Sequence, residues 1–224
     1  MSDAIEIVRH PRARRAKLSV DPASGRIRLT LPRRAALKPA LRWAEEQQEW
    51  IARQQARLPE ARPFASGADI PFGDELLRVV WEESLPRRVQ RIGNELRSGG
   101  PLAGLSRRIA VWLRRAAFDA LNAETARIAA LAGVGVIKVT VGDPKARWGS
   151  CSSSGAIRYS WRLILAPSHV LRSTVAHEVA HRVHMHHGPE FHALARQLDP
   201  GDPDVSRAWL RRHGAALHWF GRES

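Results

Sequence analysis

Cysteine is almost missing from this chain of 224 residues: Cys151 stands alone. It has no partner for an internal disulfide, and no zinc cluster of cysteines can be assembled, which fits a reducing cytoplasm. Long apolar runs are missing too. Nothing approaches the ~20 consecutive apolar residues of a membrane span. The first ten residues lack the charged, then apolar, then small pattern of a secretion signal. Lysine is scarce, confined to Lys17, Lys38, Lys138 and Lys145, and there are no internal repeats and no low-complexity tract.

What the chain does have is arginine. Lys+Arg number 36 against 22 for Asp+Glu, a net charge of +14. Such a balance favours acidic partners, among them nucleic acid and nucleotides. Heavy use of arginine and alanine is also what a GC-rich genome produces. No zinc finger, RNP sequence or other binding motif accompanies the charge. The basic cluster Arg9, Arg12, Arg14, Arg15 and Lys17 reads first as a solvated loop.

The pattern of apolar residues predicts an α+β chain. Residues 5–8, 17–20 and 26–31 read as strands, with Asp21-Pro22-Ala23-Ser24-Gly25 as a turn. Residues 40–57 read as one helix with Trp43, Trp50 and Ile51 on its apolar side. Residues 76–82 and 89–96 are further strands. Ser98-Gly99-Gly100-Pro101 is the best boundary in the chain, which predicts a β-rich N-terminal region with one helix over 1–99 and a second domain over 100–224. That domain opens with a long amphipathic helix over 105–131, ended by Gly133 and Gly135, and a β-rich run over 136–141.

A helix is predicted over 167–186, with Val170 or Leu171, Val175, Val179 and Val183 as its buried stripe and Gly188-Pro189 as its stop. Inside it lies His177-Glu178-Val179-Ala180-His181, an H-E-x-x-H sequence. Residues four apart on a helix share a face, so both imidazoles reach one ion, and Glu178 projects beside them towards a water on that ion. Two neutral imidazoles and a carboxylate beside the water are what a zinc hydrolase needs. This composition throws up such a match by chance in roughly one of forty shuffled chains, so the helical context matters.

Catalytic zinc usually takes a third protein ligand. His184, His186, His187, Glu190 and His192 are the candidates. His184 shares the helical face but lies about 10 Å along it from His177, a poor corner for a tetrahedron. His186 points elsewhere on the wheel. His187 precedes the glycine at the expected helix end, where a turn swings it back over the metal. It is therefore the chosen third ligand, with Glu190 and His192 in reserve. Upstream, Ser152-Ser153-Ser154-Gly155 is a natural turn between two strands, one of which can offer a free edge to an extended peptide. Arg147 and Tyr159 are candidate substrate-binding residues, polar enough to face a cleft and steady an oxyanion. Cys151 paired with a histidine is the alternative nucleophile, but a metal motif already accounts for the histidines.

The H-E-x-x-H sequence followed by His187-Gly188-Pro189-Glu190-Phe191 resembles the YgjP-like and SprT-like zinc metallopeptidases. So does the block Arg147-Trp148-Gly149-Ser150-Cys151-Ser152 with Gly155, Ile157 and Trp161-Arg162-Leu163, which is similar to the R-W-G-S-C-S hairpin of the YgjP-like family. The N-terminal part is similar more faintly, through paired basic strands and the Trp50-Ile51 pair. Arg172-Ser173, Ser160 and His192 depart from the residues common in that family (an Asp-Tyr pair, Asn and Trp), and none of them is a chosen ligand. The resemblance implies a small zincin-like catalytic domain with a metal-binding helix and a short β-sheet. It implies Zn2+ on His177, His181 and His187, Glu178 as the catalytic base, a polypeptide substrate and peptide-bond hydrolysis. The residues by themselves support metal-assisted hydrolysis. Two other readings stay open: a metal-dependent hydrolase of nucleotides or other phosphate esters, and a non-enzymatic nucleic-acid-binding protein with a structural zinc.

Overall fold

In the computed structural model, which describes residues 5–199 and 201–223, the chain divides into two compact units, Met1–Glu60 and Ala61–Ser224. Both mix helices with small sheets, and the fold class is α+β.

The first unit is a three-stranded sheet in the order β1-β3-β2, from β1 (Glu6–His10), β2 (Lys17–Val20) and β3 (Ile27–Pro32). β1 runs parallel to β3 and β2 antiparallel to it. Alternation along β3 turns Ile27, Leu29 and Leu31 inward, where they form a core with Leu18, Ala40, Ala44 and Ile51. The helix predicted over 40–57 is two: α1 (Leu37–Glu46) and α2 (Gln48–Gln55), broken at Gln47. Ile51 is buried as expected, whereas Trp43 is 37% exposed.

The second unit is organised on one long helix. β4 (Asp69–Phe72), β5 (Glu75–Trp81), β6 (Gln90–Ile92) and β7 (Glu95–Ser98) form a sheet in the order β4-β5-β7-β6. The strand read over 89–96 is the β6–β7 hairpin, turned at Gly93, whose φ of 59° suits a residue without a Cβ. The segment 98–101, read above as a boundary, lies inside this unit. A Cβ on Gly99 would overlap the Leu85 carbonyl, and the Gly100 carbonyl accepts the Trp81 indole N–H at 2.8 Å. These glycines serve close approach of chain to chain, not a linker.

α3 (Leu105–Ala132) follows, 28 residues long. Leu105, Ile109, Leu113, Ala117, Leu121 and Ile128 form its buried stripe, and Gly133 ends it in the left-handed conformation. Against α3 pack the β4–β7 sheet and a second sheet of β8 (Lys138–Gly142), β9 (Gly149–Cys151) and β10 (Ala156–Ser160) in the order β8-β10-β9. β10 is parallel to β8 and antiparallel to β9, which leaves β9 at the edge. A 3-10 turn over Trp161–Leu165 leads to α4 (Ser168–Ala180), then α5 (Pro189–Leu198) and α6 (Pro203–Leu217). No helix among the described residues is long and apolar enough to cross a membrane.

Candidate metal centre and cleft

α4 packs on α3 through Val170, Val175, Ala176, Val179 and Ala180, all buried, and this sets the rotation that presents His177 and His181. The helix ends at Ala180, not at the glycine after His187. Beyond it the amides of Arg182 and Val183 donate to carbonyls three residues back, those of Val179 and Ala180, at 2.8 and 3.0 Å. His181, still α-helical in φ and ψ, is the last residue of the turn. Val183, predicted to continue the buried stripe, is 47% exposed for this reason.

The early end lets the chain double back. His187 returns to within 3.2 Å of His177, Nε2 to Nε2. One ring nitrogen from each of His177, His181 and His187 lies within 4.8 Å of the others. The fully buried ring of Phe191, from the first turn of α5, sits beneath all three imidazoles at centroid distances of 4.9, 4.5 and 4.7 Å. The His181 Nδ1 meets the His184 carbonyl at 3.1 Å, which fixes that nitrogen as the N–H and leaves Nε2 with its lone pair.

Charge supports the same arrangement. Burial, with the neighbouring His181 and His187, pushes His177 down to about 4. Burial also lowers His181. Both imidazoles are therefore neutral at neutral pH, the form that can bind a metal. Glu178 lies beside them, 5% exposed. Burial pushes its carboxyl up to about 7, and only the charge of Arg147 pulls the other way. Among the described residues no hydrogen bond or ion pair engages that carboxylate. Room for it is made by Gly149 at the start of β9: a Cβ there would come within 2.7 Å of the Glu178 Cγ.

The donor set fits a metal ion. Two nitrogens on a tetrahedral zinc at about 2.0–2.1 Å are themselves about 3.3 Å apart. The His177–His187 separation of 3.2 Å matches, and two neutral ring nitrogens that close otherwise need a shared proton.

A cleft of about 200 Å³ opens beside His177 and Glu178. Trp148, Phe191, Ala195 and Leu210 make it largely apolar, and Arg196 and Arg207 line it too. The Trp148 ring stacks on the buried His218 at 5.4 Å, and its edge lies against Gly214 of α6. Behind this wall, Arg162 donates to Asp143 at 2.6 Å and to the carbonyls of Leu217 and Phe220 at 2.6 and 3.0 Å, tying the end of α6 to the sheet. The sequence reading missed α6 and this tether, although Asp202-Pro203-Asp204 is a helix-start signal, and Asp202 does cap α6.

The other candidates are placed as follows. Arg147 is exposed and near enough to Glu178 for its charge to act. Tyr159 does not face the cleft. It is fully buried, its hydroxyl bonded to the Thr125 hydroxyl at 3.1 Å, and burial pushes its pKa well above the usual tyrosine value. Strand alternation explains this: Tyr159 shares its face of β10 with the buried Ile157. Glu190 turns away to His184 at 3.8 Å, and His192 lines the cleft with its ring 6.2 Å from that of His187. Burial raises the Cys151 thiol pKa, and that thiol donates to the Ser152 carbonyl at 3.4 Å, so it is no ready thiolate.

An α+β unit that gathers three imidazoles and a buried carboxylate at one cleft has the makings of a metallohydrolase. Comparison with known families agrees: the profile of the YgjP-like metallopeptidase domain matches residues 14–213. The chain belongs to the YgjP-like metallopeptidase family. No curated protein and no solved structure gives a significant match.

Proposed function

We propose that this protein is a zinc-dependent metallopeptidase that cleaves peptide bonds. The observation that carries the reading is the convergence of His177, His181 and His187 next to Glu178, a buried carboxylate without a hydrogen bond or ion pair among the described residues. The three imidazoles would hold the ion. Zinc is favoured because neutral imidazoles in a compact three-nitrogen set suit it. When bound, such an ion supplies a Lewis acid that activates water and polarises a carbonyl.

The chain's own residues do the rest. Glu178 takes a proton from the attacking water at a carboxylate oxygen and returns it to the leaving nitrogen, the two tasks of a general base and acid. Arg147, whose charge reaches Glu178, would steady the charge that develops on the carbonyl oxygen. The free edge of β9 offers backbone groups to an extended polypeptide. The apolar cleft beside Glu178 would take one of its side chains. The free, half-buried Cys151 suits a reducing compartment such as the cytoplasm.

The test is metal content by mass spectrometry together with cleavage of an unfolded polypeptide. One zinc per chain is expected in the wild type and in Glu178→Gln, with cleavage only in the wild type. His187→Ala is expected to lose both. A wild type that takes up no metal after zinc loading overturns the reading.

A further inference from the structure

A second groove lies away from the metal cleft and shares no residue with it. Along α3, Gly104, Arg107, Arg108, Val111, Trp112 and Arg115 follow one another at helical spacing and line one side. Arg87, Arg88 and Val89, just before β6, line the other, and the space between is about 700 Å³. Val89 is buried, Trp112 half-buried, and Val111 lies 61% exposed at the rim.

The charge here is not compensated. Some exposed arginines elsewhere have carboxylates, as in Arg28–Glu6, Arg78–Asp69 and Arg91–Glu75. In the groove only Arg115 does, with Asp119 at 3.1 Å. Among the described residues Arg87, Arg88 and Arg107 have no ion pair. Arg108 is held by the Ser98 hydroxyl and the Pro101 carbonyl, both at 3.1 Å, while its Nη2 is buried with no hydrogen-bond partner among the described residues. A buried charged donor without an acceptor is costly. The same place holds the N-terminus of α3, which has no side-chain cap and no acidic residue in its first turn. Its positive end adds to the arginines.

We propose that this groove binds single-stranded nucleic acid, with phosphates on Arg87, Arg88, Arg107 and Arg108 and a base against Val111 and the edge of Trp112. Every cation in the groove is arginine, whose planar fork pairs with phosphate oxygens two at a time. The Asp and Glu side chains of an acidic peptide would satisfy the charge but bring no flat apolar surface to cover the valine and the tryptophan, whereas every nucleotide carries one beside its phosphate. The inference does not depend on the metallopeptidase reading, and either can fail alone.

The test measures anisotropy of a labelled oligodeoxythymidine of about 15 residues against salt. Two triple variants remove equal charge from exposed arginines: Arg87→Gln/Arg88→Gln/Arg107→Gln in the groove, and Arg12→Gln/Arg14→Gln/Arg15→Gln in the first unit. The groove variant is expected to bind at least about tenfold more weakly and to flatten the log–log salt slope by about 2, since each lost phosphate contact on a single strand removes about 0.7. The control is expected to lose less than about threefold with its slope kept. Equal losses in the two variants, no binding by the wild type, or competition by polyglutamate as effective as that by unlabelled oligonucleotide would each overturn the proposal. Hydrogen exchange of the wild type with the oligonucleotide needs no variant: protection is expected over 85–89 and 104–115, and protection confined to other segments refutes the site.

Discussion

Two carboxylates in the second unit are both withdrawn from water and end at opposite extremes. Burial raises the pKa of each. At Asp143 the Arg162 guanidinium, with Lys145, outweighs burial and holds the carboxyl at about 2. At Glu178 only the charge of Arg147 opposes burial, and the carboxyl sits at about 7. Two histidines, by contrast, share one shift and differ in company. Burial pushes both His177 and His218 down to about 4, yet His218 is wedged among Lys145, Asp143 and Trp148, while His177 faces two other imidazoles. What separates a structural group from a chemical one here is not burial but whether the neighbours have already used it.

The largest effect that could break this comparison is on turnover. Glu178→Gln is expected to lower the rate of peptide hydrolysis by about 10²–10⁴-fold, the range of a lost general base, with the metal retained. Asp143→Asn is expected to leave the rate per folded molecule within about twofold of wild type, since the group lies behind the cleft wall. A large loss of turnover in Asp143→Asn with full stability would show that the partnered carboxylate takes part in the chemistry.

The stability effects are expected to be the reverse. Asp143→Asn strips Arg162, whose side chain is 8% exposed, of its counter-charge. A loss of about 3 kcal/mol in urea unfolding is expected, the low end for breaking a buried pair. The pH dependence has a definite sign. The folded pKa of Asp143 is depressed from 3.8 to about 2, so its contribution is present above pH about 4 and is lost as pH falls towards about 2. Acid unfolding of the wild type should therefore show a step in that window that Asp143→Asn lacks.

The grouping of His177, Glu178 and His181 was legible because its geometry is local: His177 and His181 are one helical turn apart, and Glu178 is adjacent. The β9–β10 hairpin was legible for the same reason, from the Ser152–Gly155 turn, where Gly155 takes φ 94°. The end of α4 was not, because Val175, Val179 and Val183 keep helical spacing through a point where the backbone has already turned. Tyr159 was misjudged from its polar tip, although Ile157 two residues earlier marks that strand face as core. The Arg162 tether was out of reach, since its acceptors lie 55 and 58 residues away along the chain. The role of Gly149 as the space beside Glu178 exists only once α4 is packed against β9.

The smallest effect is also the sharpest on the comparison, since it asks whether Glu178 costs the fold what Asp143 contributes. In metal-free protein the folded pKa of Glu178 is raised from 4.5 to about 7. Its contribution is fully present below pH 4.5 and is lost as pH rises through about 7. Glutamine has no proton to lose. Metal-free Glu178→Gln should therefore fall about 1 kcal/mol behind the wild type near pH 4, the cost of burying the amide, gain on it between about 4.5 and 7, and stay ahead above that by about 2 kcal/mol. Urea unfolding in chelator at three pH values measures it. A pH-independent difference would mean that an unseen partner already serves this carboxylate, and Glu178 would then be the same kind of group as Asp143.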